Sequence, residues 1–210
     1  MYPAIEPKLH TGDEAILTPS GESVCTLLDF WRWAYSDLMS NAERGALAEF
    51  LVACALGLHQ HPQISWGRYD LLTKDGISVE VKSSGYLQTW EQKTLSRPIF
   101  GIQPTFGWDS ITNTYEDIKR RQADIYVFCL HKHTEQETTD PLRISQWDFY
   151  LLPTSVLNLK LGNQKTASLS ALLQAGAELC SYEHLDQRIK ELIKPEDSSF
   201  PPLTNPKSML

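Results

Sequence analysis

Residues 68–84, RYDLLTKDGISVEVKSS, constrain the fold more tightly than any other stretch of this chain. Alternating apolar and polar positions on either side of Lys74-Asp75-Gly76 predict two strands, 68–73 and 77–83. Glycine at the third position of a three-residue loop is the usual left-handed residue of a bulged hairpin turn, and that choice sets Thr73 opposite Ile77. Leu71 then faces Val79 and Tyr69 faces Val81 on one side. On the other, Leu72 lies opposite Ser78, Asp70 opposite Glu80 and Arg68 opposite Lys82. A two-residue Asp75-Gly76 turn would instead mix apolar and charged partners on both faces.

This register sets two carboxylates against each other with β-carbons roughly 5 Å apart, which is destabilising unless something positive sits between them. A hard divalent cation fits: Mg2+ is typically held by one or two carboxylates plus waters and phosphate oxygens, and Mn2+ can take its place. Lys82 shares the face of Glu80. Its ammonium can orient an attacking water, lower that water's pKa, or stabilise charge building on a phosphate. An E-x-K triplet alone is better explained as a solvated surface ion pair; the Asp set opposite the Glu and the preceding helix with its carboxylate favour the site.

Upstream, Ser40-Asn41 is an N-cap candidate for a helix over 42–58, and Gly57 stands where such a helix would stop. After Glu49 no charged residue follows until Arg68, so the second half of the helix reads as buried. Projection puts Leu47, Phe50, Leu51, Cys54 and Leu58 on one stripe and Glu49 nearly opposite, beside Val52, Ala53 and Leu56. Glu49 can join a metal site, reach solvent, or pair with Arg44 or Arg68. Glu43 is the competing acid, but a carboxylate in a first helical turn is already explained by the helix dipole.

With 210 residues, 41% of them hydrophobic, the chain suits one compact domain, 23–194, with its core over about 41–152. Residues 1–22 read as an N-terminal loop and 195–210 as a disordered tail. A first helix is expected over 27–39, a short strand near 63–66, a long insert over 85–112 and a short helix over 115–122. Strands follow over 124–130 and 146–152, then closing helices over 168–177 and 183–194. The fold class is mixed α/β. No apolar run reaches the roughly 18 residues of a membrane span and MYPAIEPKLH is unlike a secretory signal, so a cytoplasmic protein without membrane contact is expected. Cys25, Cys54, Cys129 and Cys180 are scattered and read as reduced thiols. A net charge of -7 argues against nonspecific coating of nucleic acid, so any such role must rest on a local basic surface, a metal ion or a partner.

The spacing Tyr69-Asp70, nine residues, Glu80-Val81-Lys82 resembles the signature of the PD-(D/E)xK nuclease superfamily, and Gly45-Ala46-Leu47-Ala48-Glu49 is similar to the G-x3-E helix of its resolvase-like members. The order of elements over 41–131 resembles the restriction-endonuclease-like αβββαβ core, a central mixed sheet flanked by helices. Tyr69 stands where the signature has proline, and the 85–112 insert has no counterpart in a particular subfamily. The resemblance implies Mg2+ ligation by Asp70, Glu80, the main-chain carbonyl of Val81 and Glu49, with Lys82 as the catalytic lysine. Gln88 stands where some members place a glutamine near the site, and Tyr86 accompanies it. Implied is hydrolysis of DNA phosphodiester bonds in restriction, phage defence or repair, with RNA as the other substrate and a homodimer or protein partner compatible. The alternative is a silent nuclease-like domain that binds DNA or a protein.

Lys119-Arg120-Arg121, the densest basic run, can touch phosphates, although cations at a helix end are favoured anyway. His131 and His133 read as surface histidines at a strand end, and Trp90, Phe106 and Trp108 as aromatics that pack the insert or stack on unpaired bases.

Overall fold

The computed structural model describes residue 5 and residues 7–63, 67–109 and 113–193. The chain opens with β1 (Ala15–Leu17), β2 (Ser23–Thr26), α1 (Leu27–Tyr35) and α2 (Asn41–Ala55). It continues through β3 (Leu71–Leu72), β4 (Ser78–Gly85), β5 (Ile99–Gly101), β6 (Thr105–Asp109), β7 (Thr114–Arg120), β8 (Ile125–His131) and β9 (Trp147–Pro153). It closes with α3 (Thr154–Leu161), β10 (Thr166–Ser168), α4 (Leu169–Ala175), β11 (Glu178–Cys180) and α5 (Leu185–Ile193).

Five strands form a central mixed sheet in the order β11-β9-β8-β4-β3, with β4 and β8 parallel and the other pairs antiparallel. All seven residues of β8, IYVFCLH, are buried, because this strand has a covered face on each side. Ile125, Val127 and Cys129 join Val79, Val81, Phe149 and Leu151 against α2 and α5. Tyr126, Phe128 and Leu130 join Tyr150 and Leu152 against β5, α3, β10 and α4. The architecture is therefore mixed α/β, helices on both faces of the sheet, as expected. Among the described residues no helix is long and apolar enough to cross a membrane.

The hairpin register is the expected one where the strands pair: Leu71 faces Val79, Leu72 faces Ser78, the Thr73 N–H donates to the Ile77 carbonyl, and Gly76 has φ +80°. The pairing is shorter than expected, because the ladder stops at Leu71. Beyond it, Val81 N–H donates to the Asp70 carboxylate at 2.7 Å, so a side chain takes the bond that a strand at Tyr69 would have received. Ser40 caps α2 as expected, hydrogen-bonding the Glu43 N–H and carboxylate, and Gly57 ends the helical stretch with φ +67°.

Several expectations are corrected. The residues given to a helix at 115–122 form β7, which pairs with β6 in a two-stranded ribbon; Thr, Tyr and Ile suit a pleated surface, and Trp108 and Tyr115 meet across the strands with ring centroids 4.8 Å apart. The crossover between the parallel strands β4 and β8 is thus this ribbon together with β5, and among the described residues it holds no helix of the αβββαβ order. Part of the presumed N-terminal loop is β1, paired with β2. The insert carries β5 and β6, and α3, β10 and β11 were not foreseen. Of the short strand expected near 63–66, residues 64–66 lie outside the described residues, as does the tail 195–210. The four cysteines are free, with Cys129 and Cys180 buried.

Candidate active site

Glu80 and Lys82 leave β4 on the face that carries Tyr126 and Phe128, their partners across the parallel ladder. Because β3 has already ended, among the described residues this stretch of β4 has no strand on its other side within the central sheet, and the site opens along that edge. Lys82 Nζ lies 2.5 Å from Glu80 Oε1, with the lysine side chain 32% and the glutamate 19% exposed. Asp70 reaches the same place from the end of β3, fixed by the Val81 N–H. Glu49 reaches it from α2 and accepts a hydrogen bond from Gln63 Nε2 at 2.7 Å.

The protonation of these groups follows from burial and crowding. Burial pushes the Glu49 carboxyl up to about 7, with the Asp70 and Glu80 charges adding and Gln63 and Lys82 opposing. Burial also raises Asp70, against the pull of Lys82 and the Val81 N–H. Glu80 is raised by burial and by Asp70, again against Lys82. Burial alone would lower Lys82, but the carboxylates of Glu80, Asp70 and Glu49 outweigh it and the ammonium is held charged. Three carboxyl groups therefore share one half-buried place with a single cation. The sequence brought these four residues together, and the structure places all of them there. Glu43 is absorbed by the α2 cap.

The donors suit a hard cation, being oxygens crowded enough to resist ionisation. In the arrangement seen, however, Asp70 is turned to Val81 and Glu80 to Lys82, and among the described residues no three acidic, His or Cys side chains converge in a way that could hold a metal ion. Lys82 takes one oxygen of Glu80 and the Val81 N–H one oxygen of Asp70, so a cation would be held through the second oxygens of these carboxylates.

The outlying candidates divide. Gln88 is tied down, accepting from Arg44 Nη1 at 3.2 Å and donating to the Gly85 carbonyl at 3.1 Å; Tyr86 is half-buried nearby. Arg121 leaves the phosphate-contact set, because it is 5% exposed and spends its guanidinium on the carbonyls of Ile102 and Gln164 and on Asn158. Arg120 is an exposed strand residue clasped to Glu116, and Lys119 lies over the Phe106 ring, 4.9 Å from its centre. His131 is corrected from surface to fully buried, with neither ring nitrogen hydrogen-bonded. Phe50, expected in the core stripe, is 53% exposed.

Four further residues border the site; sequence reasoning offered Arg44 and Arg68 as partners for Glu49 and missed Gln63 and Tyr126. Arg44, 3% exposed, binds the carbonyls of Met39 and Leu87 and so joins the start of α2 to the chain beyond β4. Gln63 holds Glu49, and Tyr126 stands beside Glu80. Arg68, expected opposite Lys82, donates to the Trp108 carbonyl and to Glu116, tying the end of the hairpin to the ribbon. Arg68 carried a signal in the alternating hairpin and Arg44 in its place on the helix of Glu49, whereas Gln63 and Tyr126 carried none.

Comparison with curated proteins finds no match. A family model described as bacteriophage T4 endonuclease IV matches residues 28–171, a span from α1 into α4 that contains all four clustered residues. Matching more than half of its length, the chain belongs to the bacteriophage T4 endonuclease IV family and is thereby a member of a nuclease family.

Proposed function

We propose that this chain is a Mg2+-dependent endonuclease of the PD-(D/E)xK type that hydrolyses DNA phosphodiester bonds. The observation that carries the reading is the crowding of Glu49, Asp70 and Glu80 around Lys82 at a bare sheet edge, where a DNA strand can approach. Asp70 and Glu80, with the Val81 carbonyl and Glu49 assisting, would hold the ion. A bound Mg2+ would supply Lewis-acid activation of the attacking water and of the phosphate. Lys82 supplies a fixed positive charge beside the phosphate, where negative charge builds during in-line attack. A role in restriction, phage defence or repair follows from such chemistry, and Mn2+ should support it.

The test is cleavage of supercoiled, linear and branched DNA and of RNA with Mg2+ or Mn2+, comparing the native chain with Glu80→Ala and Lys82→Ala. Metal-dependent DNA cleavage lost in both variants is expected, and cleavage that survives both places the chemistry elsewhere. A second reading, a domain that binds DNA or a protein without cutting, is favoured by the 2.5 Å Lys82–Glu80 pair, which neutralises Glu80 without a metal. Calorimetry with Mn2+ separates the two: binding that depends on Asp70 and Glu80 supports the enzyme.

A further inference from the structure

A cavity of about 690 Å3 lies between the second half of α2, residues 58–63, residues 67–72 and Trp108 of the ribbon. Its volume is that of a small-molecule site rather than a packing defect. Glu49 and Asp70 form part of its wall, so the cavity and the carboxylate cluster are continuous, and an occupant here touches residues of the candidate active site. Phe50, Tyr69 and Trp108 supply flat rings, and His61 adds a hydrogen-bonding edge. Phe50 is half exposed on a helix whose following residues Leu51, Val52 and Ala53 are buried, and its ring lines the cavity with its edge contact to His59. Trp108 is held in place by its carbonyl, which accepts from Arg68 Nε at 3.0 Å, and by its ring contact with Tyr115.

We infer that this cavity receives one nucleobase of the substrate, unstacked from its neighbours, next to the bond that is cut. The inference rests on the nuclease reading above. The occupant is set by what surrounds the cavity: a phosphate at the carboxylate cluster carries its sugar and base with it, and aromatic faces hold any base by stacking. A base inside a duplex stack cannot enter, so the nucleotide must turn out of the helix or come from an unpaired strand. Carboxylates in the wall disfavour an acidic occupant but tolerate a neutral ring.

The experiment uses single-stranded oligonucleotides in which one nucleoside is replaced by an abasic tetrahydrofuran, cleaved by the native chain with Mg2+. Cleavage of one bond adjoining the abasic position should fall by about 5- to 150-fold, the range that stacking of one base provides, while remote bonds are cut as before. The exposed variant Phe50→Ala should cut the unmodified strand more slowly and should show a smaller abasic penalty. A 2-aminopurine placed at the same position reports on the cavity without cleavage: its fluorescence should change on binding to the native chain in Ca2+ and change less with Phe50→Ala. Unimpaired cleavage beside the abasic site, or a silent 2-aminopurine in a bound strand, overturns the inference. A 2-aminopurine response without cleavage of any substrate supports the cavity and instead overturns the nuclease reading.

Discussion

Glu49 and His131 should pull the stability of the metal-free protein in opposite directions as pH changes. The Glu49 carboxyl is held at about 7 against an ordinary 4.5, so the folded state grips its proton more tightly than the unfolded chain and stability falls as pH rises through that window. Burial, with the Arg44 guanidinium nearby, holds His131 at about 4 against 6.5, so stability falls as pH drops through its window. The windows overlap between 4.5 and 6.5, where the slopes oppose. A fully expressed difference is worth about 1.4 kcal/mol per pH unit, and solvent around half-buried Glu49 reduces its share to about half of that. From about pH 5 to pH 7, Glu49 then removes about 1–1.5 kcal/mol, while fully buried His131 adds about 2 kcal/mol. Asp70 and Glu80, also raised by burial, act on the side of Glu49. Thermal unfolding in EDTA should therefore show a nearly flat native profile over this range. Glu49→Gln should gain about 1–1.5 kcal/mol more than the native chain on going from pH 5 to pH 7, or about 2–6 °C in Tm at this chain length. Parallel profiles for the two proteins would refute the burial of a crowded Glu49 carboxylate.

Lys82→Ala should lower cleavage kcat by about 10²–10³-fold with the far-ultraviolet circular dichroism unchanged, since it removes a fixed charge and no core contact. Arg121→Lys should cost about 1–3 kcal/mol in thermal unfolding, because an ammonium cannot serve two carbonyls and Asn158 at once, while the salt dependence of DNA binding stays as it was. Lys119→Ala, at an exposed ribbon position, should instead shallow that salt dependence and leave Tm unchanged. Gly76→Ala should lower stability by about 1–2 kcal/mol through its φ of +80° alone, as open space surrounds the position.

The centre of the site was legible because it rests on local rules. A three-residue turn with Gly76 in the left-handed region and the alternation of Leu71, Val79 and Val81 settle which side chains share a face. Where the ladder stops was not legible, since it depends on the Asp70 carboxylate outcompeting a main-chain carbonyl for the Val81 N–H. The ribbon was hidden for a related reason: Thr114–Arg120 has burial on neither face, so its strand state comes from pairing with β6 rather than from its own periodicity. Arg44, Arg121 and His131 look like surface residues in a one-dimensional reading. Carbonyls 43 residues away in sequence decide the fate of both arginines.

The bare edge of β4 has a consequence for solubility. A strand with unpaired N–H and C=O groups is a template for another chain, and folded proteins blunt such edges with charge. From Val79 the edge reads VEVKSSG; the Asp70 carboxylate covers the Val81 N–H, and the charges the edge itself carries are Glu80 and Lys82. The pair read as catalytic is therefore also the edge's guard against self-association. Alanine at both positions would leave a short, uncharged, valine-bearing edge, so a catalytically dead form for structural work is better made as Glu80→Gln, which keeps the lysine.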